Sequence, residues 1–372
     1  MHEDDFILNA AQLKLSDEHI SNLKRFSSNG IDWAELERKA CIHGVDTFIY
    51  YSLKNNNLSH LVPSEIFKRF REQFYVNAIR NSIFIEGINT LSSIINDKII
   101  LLKGAYLIQY LYPNIAIRSM CDIDILLEKE KSKTNWNKLL NHGFSPGSSL
   151  PKSTVHEKNA SHLPPIYSDQ FMTEVHWNLF GGERFYAVTQ KAWLEIHQLE
   201  NNIYSLSSEV LLIHLCVHFY KHLKNAAGLR MLCDINELIL KEDHTINWDK
   251  IDKLCSDQDL RNEVSLALTY THILLNTPIP SLYIDKEVEI DLDALTTGNP
   301  RNRIIRYLFT LRQFNRPLDR IKYVFRTIFP SSKWMNATYN VESGIKLVSS
   351  YYSYWRYLFR RHILKQNIRY AD

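Results

Sequence analysis

The sequence predicts an α+β protein, mostly helical, in which a small β-sheet core is flanked by N-terminal and C-terminal helical domains. Three observations lead there. Apolar residues recur three and four apart over Leu15–Leu91, and helical spacing returns after Ser207. Between those stretches stand three short aliphatic or alternating runs, Ile99–Leu102, Cys121–Leu127 and Phe171–Trp177. A chain of 372 residues, 45% hydrophobic and 23% charged, is long enough for two or three packed domains. They are expected at 1–92, 93–200 and 201–372. Eleven Gly and eleven Pro exclude a collagenous, low-complexity or largely disordered chain.

Taken in order, Ser16-Asp17 and Asp32 are placed as N-caps ahead of helical spacing such as Trp33–Leu36 and Phe67–Phe74. Asn29-Gly30, Asn55-Asn56-Asn57 and Val62-Pro63 punctuate this region, giving three or four helices that serve mainly as scaffold. Asp97–Gly104 reads as a buried strand, a short continuous aliphatic run meeting Gly. A helical segment follows, Ala105–Tyr112, closed by Pro113. Cys121–Leu127 and Phe171–Trp177 give a second and a third strand. Between them lie a helix at Glu130–Leu140, the turn His142-Gly143-Phe144 and a long Ser/Pro/His-rich loop, Ser145–Pro165. Beyond Ser207-Ser208-Glu209, helices are expected at Leu211–Leu223, Leu229–Leu240, Trp248–Cys255 and Arg261–Leu275, then aromatic-rich helices to Tyr370. Glu287, Glu289, Asp291 and Asp293 alternate ahead of Thr296-Thr297-Gly298-Asn299-Pro300 and read as a solvated linker rather than a metal strand.

Met1–Asp5 lacks the basic and apolar regions of an export signal, and the most apolar stretch, Ile99–Ile117, is broken by Lys103, Gln109 and Pro113. No membrane span is expected. Five cysteines, an odd number without a C-x-x-C pair, speak against a disulfide framework and a thiolate zinc site and point to a reducing cytoplasm. The overall charge of +3 conceals an asymmetry. Residues 301–372 carry fifteen Lys or Arg against Asp319, Glu342 and Asp372, a net +12 that leaves −9 for the rest. A basic tail behind an acidic body favours a phosphate-rich partner.

The chemistry sits on two strands. Alternate side chains of a strand share a face, so Asp122 and Asp124 point one way while Ile123, Ile125 and Leu127 point into the core. Two carboxylates so close repel, and a cation between them relieves the repulsion. Glu174 and His176 likewise share a face of the third strand, with Val175 and Trp177 behind them. If that strand neighbours the second, three carboxylates converge. Three hard oxygen donors suit Mg²⁺ held jointly with substrate phosphates. Two such ions would stabilise the attacking and leaving oxygens of a phosphoryl or nucleotidyl transfer. Gly104 would open a helix whose free N–H groups and dipole favour a phosphate, and Lys103, Arg118 and Ser119 complete a triphosphate cradle. Each has a plainer reading. Lys103 and Arg118 are alternatively structural partners of carboxylates, and the aspartates a solvent-facing strand edge. Glu174 is alternatively a surface ion pair, with Asp169 as the fallback third carboxylate.

Leu102-Lys103-Gly104, Tyr112-Pro113, Arg118, Asp122–Leu127 and Glu174–Trp177 resemble the uncharacterised bacterial nucleotidyltransferase family of the DNA polymerase beta superfamily. So do the flanks, Ile31-Asp32-Trp33 and His43-Gly44-Val45 upstream and Leu229–Asp234 and Phe329-Pro330 downstream. The resemblance spans most of the chain. It implies a minimal nucleotidyltransferase fold with a mixed β-sheet core and a metal-bound NTP. Mg²⁺ is the expected ion, with Mn²⁺ the alternative, and ATP is the first-choice nucleotide. A nucleoside monophosphate would pass to a hydroxyl or amine acceptor, releasing pyrophosphate. The resemblance implies Asp122 and Asp124 as paired metal ligands and Glu174 as the third carboxylate, completing a second metal site. Lys103-Gly104 stands where that superfamily usually has Gly-Gly or Gly-Ser. Three acceptor classes remain open: a small metabolite or natural product, a protein side chain, or tRNA. The competing reading is non-catalytic, a nucleotide sensor or a peptide- or RNA-binding module working with partner proteins.

His214, His218 and His222 recur every fourth residue, on one helical face at zinc-compatible spacing. No fourth ligand stands at diagnostic spacing, so they read as a polar, buried face near the substrate pocket, with His218 a candidate substrate contact. His176 is expected to contact substrate or to cap the site by hydrogen bonding. Arg230 and Asp234, at i and i+4, form an ordinary ion pair or take part in acceptor recognition. Tyr351–Tyr370 combines aromatics with Arg356, Arg360, Arg361, Lys365 and Arg369. It reads as a packed helix with a basic outer face, or as a surface for RNA or anionic membrane.

Overall fold

The computed structural model describes residues 2–147, 160–223, 227–242, 245–285, 287, 288, 290, 292–297, 308, 310–314, 316–339 and 345–362. Five helices come first: α1 (His2–Ala10), α2 (Asp17–Ser27), α3 (Trp33–His43), α4 (Asp46–Asn55) and α5 (Ser64–Ile94). Both caps read from the sequence are in place. The Ser16 hydroxyl accepts from the His19 N–H, and the Asp32 carboxylate accepts from those of Ala34 and Glu35.

The chain then enters β1 (Ile99–Leu101) and a short helix, α6 (Lys103–Tyr106), continued by a π-helical turn to Leu111. Next come β2 (Ile123–Leu126), α7 (Lys129–Asn141), β3 (Ser145–Pro146), β4 (Ile166–Tyr167) and β5 (Met172–His176). After a helix at Tyr186–Trp193, a hairpin of β6 (His197–Glu200) and β7 (Ile203–Ser205) closes the sheet. The seven strands lie in the order β3-β4-β5-β2-β1-β7-β6. β2 with β5 and β1 with β7 are parallel, and the other pairs antiparallel. The protein is thus a mostly helical α+β fold around a mixed sheet.

The two faces of that sheet are buried against different layers. Ile123, Ile125, Leu127 and Val175 join Ile99 and Leu101 against Phe84, Ile88 and Leu91 of α5. The helix lies close there: a Cβ on Gly87 would fall 2.7 Å from Phe171 and 2.9 Å from Ile123. Ile100, Leu102 and Leu126 point the other way, into a larger core shared by the N-terminal helices and the helices Ser208–His222, Leu229–Lys241, Trp248–Gln258 and Arg261–Leu275. By the two-residue strand period, Asp124, Glu174 and His176 belong to this second face.

Further on, the helices Ser332–Tyr339 and Ile345–His362 form a small core of their own from Trp334, Met335, Tyr354 and Tyr357. The expectations for Glu289, Asp291, 301–307 and the basic end at Lys365 and Arg369 lie outside the described residues. Asp293, at the end of the stretch read as a solvated linker, stays 43% exposed and yet has a partner. With Asp4 it neutralises Lys39, at 3.1 and 2.7 Å, and the Lys39 side chain is only 2% exposed. A buried ammonium needs such partners, so this end of the stretch is pinned to the N-terminal helices. Among the described residues no helix is long and apolar enough to cross a membrane. All five cysteines are unpaired.

Candidate functional site

The register of the central parallel pair decides the site. Asp124 lies opposite Glu174, and Leu126 opposite His176. One carboxylate oxygen each from Asp124 and Glu174 and one ring nitrogen from His176 therefore fall within 4.8 Å of one another. His176 Nε2 stands 2.8 Å from Asp124 Oδ1 and 3.4 Å from Glu174 Oε2. His162, from the segment leading to β4, packs its ring 5.1 Å from that of His176 and sets its Nε2 3.8 Å from Glu174 Oε2.

Lys103 enters from the end of β1. Its φ of +43° places a non-glycine residue in the left-handed region, which costs roughly 1–2 kcal/mol. That turn lets Lys103 Nζ reach Asp124 Oδ1 at 3.0 Å. Burial resists ionisation of Asp124, but the Lys103 ammonium and the His176 hydrogen bond outweigh it and hold this carboxyl well below its ordinary value. At Glu174, too, burial is outweighed by the hydrogen bond from His176, and the carboxyl lies below its ordinary value. Lys103 itself is kept protonated: burial works against the charge, and Asp124 and Glu174 overcome it. Asp122, just ahead of β2, is pushed up to about 6 by burial and by the charge of Asp124. The structure thus clusters Asp124, Glu174 and His176, with Asp122 outside the 4.8 Å grouping but within their electrostatic reach. Asp169 is exposed, in the turn before β5.

The expected phosphate cradle is divided. A Cβ on Gly104 would meet the Arg118 guanidinium and the Met120 side chain at 2.6 Å, so only glycine lets Arg118 lie over the start of α6. Arg118 forks onto Asp234, with Nε to Oδ1 at 2.8 Å and Nη2 to Oδ2 at 2.9 Å. The Tyr112 hydroxyl donates to the same carboxylate at 2.6 Å. Arg230 donates to the Ser119 carbonyl and hydroxyl at 2.8 and 2.5 Å. Asp234 is therefore paired with Arg118 of the α/β core rather than with Arg230 one turn earlier, and both arginines tie the core to the helix Leu229–Lys241.

Beside the carboxylates lies a cavity of about 30 Å³, lined by Lys103, Ser161, His176, His214, His218 and Lys221 together with apolar atoms. His218, picked out by its spacing, is thus brought to Lys103 and His176. Its ring and that of His214 are stacked 6.4 Å apart, and burial lowers the basicity of both. Ser161 and His162 carried no sequence signal, because they sit in a loop without periodicity. The Arg118–Asp234 pair was equally hidden, its members lying 116 positions apart.

Residues 29–276 match the family model described as an uncharacterised nucleotidyltransferase, a span that contains every residue of this site. No curated protein and no solved structure matches the chain.

Proposed function

The chain belongs to the uncharacterised nucleotidyltransferase family, and from that premise we propose that it moves a nucleoside monophosphate from Mg²⁺-bound NTP, ATP first, to a hydroxyl or amine acceptor with release of pyrophosphate. The observation that carries this reading is the meeting of Asp124, Glu174 and His176 on the parallel β2–β5 pair. Two carboxylates held ionised, with an imidazole within 4.8 Å, fit a divalent cation. Asp124, Glu174 and His176 would hold it, with Asp122 as a further carboxylate. Such an ion, when bound, neutralises the triphosphate and makes the acceptor hydroxyl more acidic.

The remaining work falls to the chain's own groups. Lys103 carries a compact charge on a flexible stem, able to move from Asp124 to a phosphate oxygen. Asp122, the site carboxyl that is pushed up to about 6, takes the acceptor proton as the acceptor oxygen attacks the α-phosphorus. The bond to the β-phosphate oxygen breaks, and pyrophosphate leaves with that electron pair. Arg118 and Arg230 hold the helical layer against the core, fixing the geometry on which positioning depends. The unpaired cysteines fit work in a reducing cytoplasm, and the basic tail favours tRNA among the three acceptor classes.

The test is incubation with each of the four NTPs, labelled at the α-phosphate, together with Mg²⁺ and a cell extract. Label is expected to move onto an acceptor as pyrophosphate appears, with transfer abolished in Asp124→Asn while circular dichroism is unchanged. Full turnover in both Asp124→Asn and Glu174→Gln would sink the assignment. Metal-dependent NTP binding without transfer would favour the nucleotide-sensing module.

A further inference from the structure

Two helices late in the chain turn apolar side chains to solvent. Along Pro317–Ile328, where no residue is buried, Leu318, Ile321 and Phe325 form an exposed row, with Leu318 at 67% and Ile321 at 65%. Along Ile345–His362 the row is Val348, Tyr352, Trp355 and Phe359, with Val348 at 70%. Spacing of three and four residues puts each row on one face of its helix. The rows meet. Phe329 stacks on Phe325 with ring centres 5.0 Å apart and meets Trp355 edge-on at 5.3 Å, so one apolar surface runs across both helices. Tyr354 and Tyr357 of Ile345–His362 turn the other way, into the small core with Trp334 and Met335. A continuous exposed apolar surface of this kind marks an interaction site.

Two features say what covers it. The first is charge. Residues 316–339 and 345–362 carry nine Lys or Arg against Asp319 alone. Exposed Lys322 stands one turn beyond Leu318, and exposed Arg356 one turn beyond Tyr352, so cations border both rows. The Arg326 guanidinium lies 5.8 Å from the centre of the Phe325 ring. A second copy of this chain would set two basic rims against each other, and RNA would leave the aliphatic Leu318, Ile321 and Val348 in water. A bilayer with anionic headgroups takes the cations and the apolar rows together. The second feature is hydrogen bonding. Hydrocarbon supplies no partners, so a polar atom that enters it must be satisfied within the protein. Trp355 Nε1 already donates to the Ile328 carbonyl at 2.8 Å, and the Tyr351 hydroxyl to that of Pro330 at 2.6 Å. We propose that the joined face of Pro317–Ile328 and Ile345–His362 seats on a bilayer surface bearing anionic lipid, with the apolar rows in the acyl boundary and Lys322, Arg326 and Arg356 against the headgroups. Among the described residues no helix is long and apolar enough to cross a membrane, so the seating is shallow. This goes beyond the nucleotidyl-transfer reading and does not rest on it. Charge alone favours tRNA as acceptor, but charge does not account for the aliphatic rows.

The experiment is co-sedimentation of the full chain with sucrose-loaded vesicles, made of phosphatidylcholine alone or mixed with phosphatidylglycerol. Binding is expected on the mixed vesicles, and weaker by about tenfold or more on phosphatidylcholine alone. Ile321→Gln and Val348→Gln leave the charge unchanged and should each weaken binding by about tenfold, the scale of one aliphatic side chain kept out of the apolar layer. Both sites are exposed, so circular dichroism should match the parent. No sedimentation, equal binding to neutral vesicles, or binding to mixed vesicles that neither substitution weakens would each overturn the proposal. Retention on RNA without vesicle binding would also overturn it and give the face to nucleic acid. Self-association abolished by the same substitutions, again without vesicle binding, would overturn it in favour of a second copy. Sedimentation reads no turnover, so this face can fail while nucleotidyl transfer stands, and the chain can seat on lipid even if transfer fails.

Discussion

Lys103 shows how far single residues are legible. Asp124, Glu174 and His176 could be found because strand alternation puts them on faces that a cation or substrate can reach, and the structure clusters them. The backbone of Lys103 could not. Sequence reasoning expects glycine in the left-handed region, and Gly104 stands next door, yet Lys103 adopts φ +43° and Gly104 is needed for space instead. The turn brings its ammonium to 3.0 Å from Asp124. Glu237, on the helix Leu229–Lys241, gives a prediction at the same scale. It accepts from the Leu13 N–H at 3.4 Å and from Asn236 Nδ2 at 3.1 Å, and burial pushes it from 4.5 up to about 7. A carboxyl easier to protonate when folded gives stability that is full below 4.5 and lost as pH rises through about 7. Glu237→Gln keeps both acceptor contacts and removes that loss. In urea unfolding it should gain on the parent between pH 4.5 and pH 8, by an amount on the order of 3 kcal/mol. A difference that stays constant with pH would show that Glu237 does not titrate in this range.

Among elements, those with local signals were readable. α2 and α3 announce themselves by Ser16 and Asp32, and β1 by a continuous aliphatic run. β3, β4 and β6 did not, because two-residue strands and the polar His197–Glu200 segment have no period of their own. Their pairing is imposed by neighbours already in the sheet. The contact of α5 with the sheet is likewise a tertiary fact, and Gly87 reports it. Gly87→Ala would favour the helix locally by about 1 kcal/mol, yet its methyl would press on Phe171 and Ile123 at 2.7 and 2.9 Å. Overpacking should win, lowering stability by about 1–3 kcal/mol. Thermal unfolding decides it, since an unchanged or higher Tm would mean that the aromatic ring moves aside freely.

Across the whole molecule, the Arg118–Asp234 fork joins the sheet to the helical layer on its functional face. Both side chains are under 10% exposed, so removing one leaves a charge stranded in a low-dielectric interior, a loss of about 3–5 kcal/mol. Asp234→Asn should therefore destabilise strongly in urea, and Arg118→Met combined with it should lose less than the two single losses summed. Strict additivity would deny the coupling. This long-range frame, unlike the carboxylates, left no trace in local sequence, since its partners lie 116 positions apart. The parallel pairing of β2 with β5 also bears on the order in which the protein is made. Asp124 and His176 are 52 positions apart, and parallel strands cannot meet until the whole crossover between them exists. During translation Asp124 emerges well before Glu174 and His176, and the helix carrying His214 emerges later still. A prematurely released fragment ending before β5 carries Lys103, Asp122 and Asp124 but neither Glu174 nor His176, so an interrupted ribosome yields a product in which the cluster cannot assemble.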